Sequence, residues 1–198
     1  MNNKSIKIKK ILLLLANGFE ILEASAFIDV LGWNLLEGDY STQLHSAGFS
    51  KEIKSSFDQK FTVDYLIEEI NIDSFDALAI PGGFKEFNYY EDANSEAFIE
   101  IIKAFKAQGK PIASVCVGAL PIAKSGILKY KKGTTYNNSN YRETLKEYGV
   151  NVLDDPIVID DNIITSNGPS TATEVAFILL EKLTSKKNVE SVKKLMGF

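Results

Sequence analysis

Apolar and polar positions along the chain fall into two rhythms, and their succession predicts strands alternating with helices. Ile6 to Leu15 is β-prone and then continuously apolar, the pattern of a parallel strand covered on both faces. Asn17-Gly18 breaks the run. From Glu20 to Leu36, apolar residues recur at Ile21, Leu22, Ala24, Phe27, Ile28, Leu31 and Leu35, a helical spacing. Trp33 reads as packing near the end of that helix. Gln43 to Ala47 reads as a second strand, stopped by Gly48. Phe49 to Val63 alternates like a small hairpin, and Asp64 to Asn71 is expected as a short helix. Asp76 to Ile80 is a further strand, followed by Pro81-Gly82-Gly83-Phe84. Asn94 to Ala107 is amphipathic, with Phe98, Ile101, Ile102 and Phe105 on one side.

The second half repeats the scheme. Pro111 to Val115 is a short apolar run that meets Cys116 and then a small-residue helical segment reaching Lys124. Thr134 to Tyr136 is expected as a short strand and Tyr141 to Tyr148 as a helix. Asn151 to Thr165 gives short strands with a turn at Asp160-Asp161-Asn162. Thr171 and Glu174 have capping-box spacing before a helix that reaches Leu183. Ser185 to Phe198 is expected as a last surface helix whose lysines form a solvated face. Strands alternating with helices imply an α/β fold with a mostly parallel sheet and helices on both faces.

Composition narrows the function classes. The 198 residues suit one domain, are 45% hydrophobic and 24% charged, and carry a net charge of −4. With no basic cluster, a nucleic-acid partner is not expected. A single cysteine cannot form an internal disulfide, so a reducing, cytoplasmic setting is the default. The one histidine, His45, lies in a predicted strand and reads as structural, and no metal or cofactor site is implied. The lysines before Ile11 superficially resemble a signal peptide. The apolar core is too short, and no membrane span is expected.

Three features fall at predicted strand ends: Glu20, Gly82-Gly83 and Cys116. In a parallel sheet these ends share one rim, where ligands bind at the switch in strand order. Cys116 at a strand-to-helix turn would lie among free N–H groups that favour a thiolate and can hold an oxyanion. The alternative is a small buried hydrophobe. Taken alone, Glu20 reads first as a first-turn helix carboxylate; shielded and protonated, it would instead donate to the sulfur.

The motifs NGFE (Asn17 to Glu20), PGGF (Pro81 to Phe84), ASVCVGA (Ala113 to Ala119) and ITSNGPST (Ile164 to Thr171) resemble the ThiJ/PfpI superfamily, from about Lys9 to Leu183. The resemblance implies a flavodoxin-like three-layer sandwich spanning residues 1–198 as a single domain, usually a homodimer. It implies Cys116 as nucleophile and Glu20 as its protonated acid partner. Gly83 and Val117 would be oxyanion donors, with Tyr136 and Gly82 against a small-molecule substrate. Members of the superfamily act on glyoxals, glycated adducts or amides, or sense oxidation. The peptidase branch has a histidine where Val117 stands, which argues against peptidase activity. The deglycase branch has one where Tyr136 stands. Class I glutamine amidotransferases share the cysteine turn but need a histidine and a glutamate that Asn167-Gly168-Pro169 does not supply. The expected function is a cysteine-dependent hydrolase or lyase of small carbonyl or amide compounds, with a cysteine-oxidation sensor as the alternative.

Overall fold

A computed structural model describes residues 7–198; the expected strand's first residue, Ile6, lies outside them. The strands are β1 (Lys9–Leu14), β2 (Thr42–Gly48), β3 (Glu52–Lys54), β4 (Lys60–Thr62), β5 (Tyr65–Leu66), β6 (Ala77–Ile80), β7 (Ile112–Ser114), β8 (Lys132–Gly133), β9 (Asn151–Val152), β10 (Ile157–Asp160) and β11 (Ile163–Ser166). The helices are α1 (Ile21–Glu37), α2 (Tyr89–Ala93), α3 (Glu96–Ala107), α4 (Ala119–Lys124), α5 (Ser139–Glu147), α6 (Ala172–Leu183) and α7 (Lys186–Met196). Seven strands form one sheet in the order β10-β11-β7-β6-β1-β2-β5, parallel except for the β10–β11 pair.

The continuous apolar run of β1 serves two cores at once. Ile11 and Leu13 face α1, α6 and α7, where they meet Phe27, Val30, Leu31, Val175, Leu179 and Val192. Leu12 and Leu14 face the other layer, with Phe98, Ile102 and Phe105 of α3, Leu120 of α4 and Leu145 of α5. This is the three-layer, flavodoxin-like sandwich. Ala77, Ala79 and Ala113 all lie on the α1/α6 face, and the larger Leu78 and Ile80 lie on the α3 face. Small residues at the centre of the sheet make room there for Phe27 and Phe177, each of which contributes ~1.5–3 kcal/mol by burial. Among the described residues no helix is long and apolar enough to cross a membrane.

Four local expectations are corrected. Within Asp64 to Asn71, Tyr65–Leu66 pair with β2 as an edge strand and only a 3₁₀ turn follows. Tyr65 is held there by its ring against His45 and Phe75, at 5.7 and 6.1 Å. Thr134 to Tyr136 is not a strand; the pairing stops at Gly133, and Thr134 N–H donates to Thr165 Oγ1 at 3.0 Å. The capping box at Thr171 does not form, because its hydroxyl turns back to the Gly168 carbonyl at 2.7 Å. Trp33 is not packed away but 41% exposed.

The sheet order switches between β1 and β6: the chain leaves β1 for β2 on one side and returns to β6 on the other. The segments leaving β1, β6 and β7 therefore meet at one rim, and two backbone bonds lace the first two together. Glu20 N–H donates to Gly82 O at 2.8 Å and Phe84 N–H to Gly18 O at 3.1 Å. Approach this close tolerates no side chain: a Cβ on Gly83 would lie 2.3 Å from Gly18 O and 2.3 Å from Tyr89 Cδ2. We expect Gly83→Ala to destabilise the fold by ~1–3 kcal/mol in chemical denaturation. Gly32→Ala, in mid-helix with nothing within 4 Å of the added Cβ, should instead stabilise it by ~0.5–1 kcal/mol. Equal effects of the two substitutions would contradict this account.

Candidate active site

β7 ends at Ser114, and after the extended Val115 the backbone turns over at Cys116, which adopts φ 56°. A non-glycine residue in the left-handed region is uncommon and concentrates at functional sites. Two contacts hold it there. Gly118 N–H donates to Val115 O at 2.9 Å, and the buried Thr135 hydroxyl donates to the Cys116 carbonyl at 3.0 Å. The turn thus lifts the sulfur onto the rim, where Cys116 is partly buried.

The carboxyl that faces this sulfur belongs to Glu23, and the assignment of that place to Glu20 is corrected. Glu20 caps α1: its backbone is extended, and its carboxylate accepts the Glu23 N–H at 2.9 Å. That occupies it locally, although it still lines the mouth of the cavity. Glu23, one turn further on, points inward and is fully buried. Its Oε2 accepts the Gly82 N–H at 2.6 Å, and its Oε1 has no nitrogen or oxygen partner. Gly82 is accordingly not a substrate-facing residue; its N–H is committed to Glu23. The point a Gly82 Cβ would occupy lies 3.0 Å from Cys116 Cβ, 3.0 Å from Val117 N and 3.1 Å from Glu23 Oε2. One missing methyl group lets the Cys116 side chain, the Val117 amide and the Glu23 carboxyl converge.

Burial dominates the electrostatics. It raises the Glu23 carboxyl to about 8, against a smaller lowering by the Gly82 N–H. Glu23 is then mostly protonated at neutral pH; its Oε1 is buried without a partner, and the Cys116 side chain is close enough to act on the carboxyl through a hydrogen bond. The Cys116 thiol is pushed up by burial first and by an ionised Glu23 second, and is pulled down by the Val117 N–H. The repulsion by Glu23 acts only once Glu23 has lost its proton. Below that point the same carboxyl can donate to a thiolate rather than repel it.

Cys116, Val117, Gly83, Tyr136 and Glu20 line one cavity of about 220 Å³, together with Glu23, Phe84, Lys85, Glu86, Tyr141 and Pro169. The Gly83 N–H has no acceptor among the described residues. Tyr136 is 44% exposed, and its ring lies 6.3 Å from that of Tyr141. Tyr141 in turn stands 6.4 Å from Tyr90, whose hydroxyl is buried without a partner. Sequence reasoning missed Glu23, Tyr141 and Pro169. For Glu23 a signal existed: it stands four residues before Phe27 and eight before Leu31, a carboxylate on the apolar stripe of α1. Among the described residues no group of three or more His, Cys, Asp or Glu side chains could hold a metal ion.

Comparison with known proteins bears on the family and the fold. The DJ-1/PfpI family profile matches residues 9–182. Deglycase PfpI of Pyrococcus furiosus is 32% identical over 163 residues, which cover 81% of this chain and 90% of that protein. Protein DJ-1 homolog B of Arabidopsis thaliana is 30% identical over 179 residues, covering 90% of this chain, which spans only 39% of that protein. The crystal structure of Drosophila melanogaster DJ-1beta superposes with a TM-score of 0.83 at 29% identity, covering 96% of this chain and 97% of that one.

The two glutamates should separate in a pH series of Cys116 alkylation by iodoacetamide. At neutral pH, Glu23→Gln should slow alkylation about tenfold, because an amide is a weaker donor to the thiolate than a carboxyl O–H. Above the pH at which Glu23 ionises, about 8, the order should invert, since glutamine cannot repel the thiolate. Glu20→Gln, which retains a capping oxygen and removes only a minor like-charge contribution to both groups, should keep the shape of the wild-type profile with a slightly faster rate. A Glu20→Gln profile matching that of Glu23→Gln would contradict the assignment.

Proposed function

The chain belongs to the DJ-1/PfpI family, and on that premise we propose that it is a cysteine-dependent enzyme acting on small carbonyl or amide compounds. One observation carries the reading: a fully buried Glu23, its pKa raised to about 8, set against the cysteine at the left-handed turn and opening on a cavity. The name deglycase borne by the Pyrococcus furiosus relative supports a carbonyl adduct as the substrate class. The cavity admits a small molecule and is too narrow for a folded partner.

In this reading the Cys116 sulfur attacks the carbonyl carbon. A C–S bond forms, and the C=O π pair moves onto oxygen. The free Gly83 N–H receives that charge, and the Val117 N–H, which holds the sulfur beforehand, supports it. The proton lost by the thiol passes to the oxygen through Glu23, whose carboxyl is near neutrality and poised to give and take it. With a simple aldehyde the adduct is a thiohemiacetal that only reverts; in an α-dicarbonyl its C–H proton moves to the neighbouring carbonyl carbon through an enediol, and water cleaves the resulting α-hydroxy thioester to the acid and the free thiol. With an amide, loss of the amine gives a thioester, and water then cleaves it to the acid and the free thiol. A homodimer in a reducing, cytoplasmic setting is part of the same proposal.

A second reading has its own support. No histidine lines the cavity; His45 stands in β2 against Tyr65 and Phe75. With a tyrosine at 136 the site lacks a second strong base, which suits a thiol that is oxidised rather than turned over. Successive reaction with two peroxide molecules would give a sulfinate and two waters.

Turnover of a panel of small aldehydes, dicarbonyls and amides, methylglyoxal among them, separates the two readings. The enzyme reading expects activity that Cys116→Ala abolishes and Glu23→Gln reduces by ~10²-fold or more. A wild-type protein inert on the whole panel would overturn it. Two oxygens then gained under mild peroxide, and lost in Cys116→Ser, would establish the sensor.

A further inference from the structure

Beside the cavity, the β3–β4 hairpin holds a feature that its own folding does not require. Phe57, at the tip, has φ 64° and ψ 26°, and Asp58 after it is also left-handed at φ 61°. Aspartate tolerates that conformation, but in phenylalanine it is an outlier that glycine would relieve. The ring gains little burial in return, since Phe57 is 60% exposed. The residues on its N-terminal side are fixed. Ser56 is fully buried; its N–H donates to Phe19 O at 2.7 Å, and its hydroxyl reaches Phe19 O and Gly18 O at 2.9 and 3.1 Å. The hairpin is thereby tied to the same loop that carries Glu20 into the site.

This strained anchorage sets the Phe57 ring 5.8 Å from Phe84 and 5.7 Å from Phe87. Phe84 is 43% exposed and is itself a wall of the cavity that holds Cys116. The aromatic surface is thus continuous from the reacting sulfur's cavity, over Phe84, to the open ring of Phe57. We propose that Phe57 and Phe84 form a subsite for an aromatic or bulky apolar substituent on the carbonyl compound that Cys116 attacks. The proposal rests on the carbonyl reading above and narrows its substrate class. A planar uncharged group stacked or set edge-on against these rings gains contacts that a methyl group cannot. At the same mouth a single lysine, Lys85, stands with two carboxylates, Glu86 and Glu20, so no cluster of cations is present to select an anionic substituent instead.

Alkylation by two α-chloroketones tests this without requiring turnover. Phenacyl chloride and chloroacetone differ only in phenyl for methyl. Each forms the S–C bond as the C–Cl bond breaks; chloride leaves with the bonding pair, and the thiol proton goes to buffer. Rates at Cys116, each divided by the rate of the same reagent with N-acetylcysteine, should favour phenacyl chloride about fivefold or more. Phe57→Ala and Phe57→Gly should both lower the ratio severalfold, the chloroacetone rate of each variant serving as its internal reference. Phe57→Tyr should restore it. Phe57→Gly suits the local φ, so a loss of selectivity in a variant that melts no lower than wild type excludes unfolding as the cause. A ratio unaffected by either variant would overturn the proposal while leaving the enzyme reading intact. So would a ratio that holds while Phe57→Ala changes the oligomeric state in sedimentation, since the ring would then serve a contact between copies. Failure of both reagents to label Cys116 would overturn the subsite and the activated thiol together. Labelling with the expected ratio but no turnover on the carbonyl panel would sink only the enzymatic reading.

Discussion

A carboxyl group kept out of water beside a sulfur is the interaction on which the rest of this molecule depends. Burying Glu23 raises its pKa from 4.5 to about 8, which makes its ionised form less favourable by several kcal/mol. The sign for stability follows. The folded chain holds this proton more tightly than the unfolded chain, so the contribution is complete below about 4.5 and declines as pH rises toward about 8. Among the described residues the Gly82 N–H is the only nitrogen donor to the carboxyl oxygens, and the Cys116 side chain adds a smaller lowering. Such an arrangement survives only where the surroundings are rigid.

The surroundings are rigid because three neighbouring parallel strands deliver their ends to one place. β1, β6 and β7 adjoin in the sheet; the exits of β1 and β6 are cross-bonded through Gly18, Glu20, Gly82 and Phe84, and the exit of β7 is tied to β6 by the Val115 N–H, which donates to Ile80 O at 3.2 Å. Glycines stand where backbones or side chains come closer than a Cβ permits. A Cβ on Gly118, for instance, would lie 2.7 Å from Ile80 O. The left-handed turn at Cys116 is held by Thr135, from a loop far along the chain. The two cores on either side of β1 fix the strands, and the strands fix the site. Chemistry at the rim therefore inherits its precision from apolar packing well away from it.

Much of this was legible in the sequence because it follows from local periodicity. The apolar run of β1, the 3.6-residue stripe of α1, the amphipathic α3 and the paired glycines after β6 are all patterns within a dozen residues. Cys116 at a strand-to-helix turn was visible for the same reason. What was not legible depends on direction or on distant partners. Glu20 and Glu23 differ by three residues in one helix, nearly a full turn. Motif matching favoured Glu20, but the N-cap geometry turned its carboxyl back onto the helix and left Glu23 facing the sulfur. β5 forms because an adjacent strand and two aromatic rings take up Tyr65, and nothing within Asp64 to Asn71 announces them. Thr134 and Thr135 leave the strand pattern because their hydrogen bonds go to β11 and to the cysteine turn. Tyr141 enters the cavity from a helix whose own sequence reads as an ordinary surface element.

The chemistry proposed for Cys116 turns on the charge of one side chain. Carbon-13 NMR of protein labelled at the glutamate carboxyl carbon, with Glu23 assigned by its loss in Glu23→Gln, follows that charge directly through a pH titration. A midpoint near 8, coincident with a change in the Cys116 β-carbon shift, is the result expected of a neutral acid facing the sulfur. A midpoint in the ordinary carboxylate range near 4.5, with Cys116 insensitive to it, would contradict the account at its root.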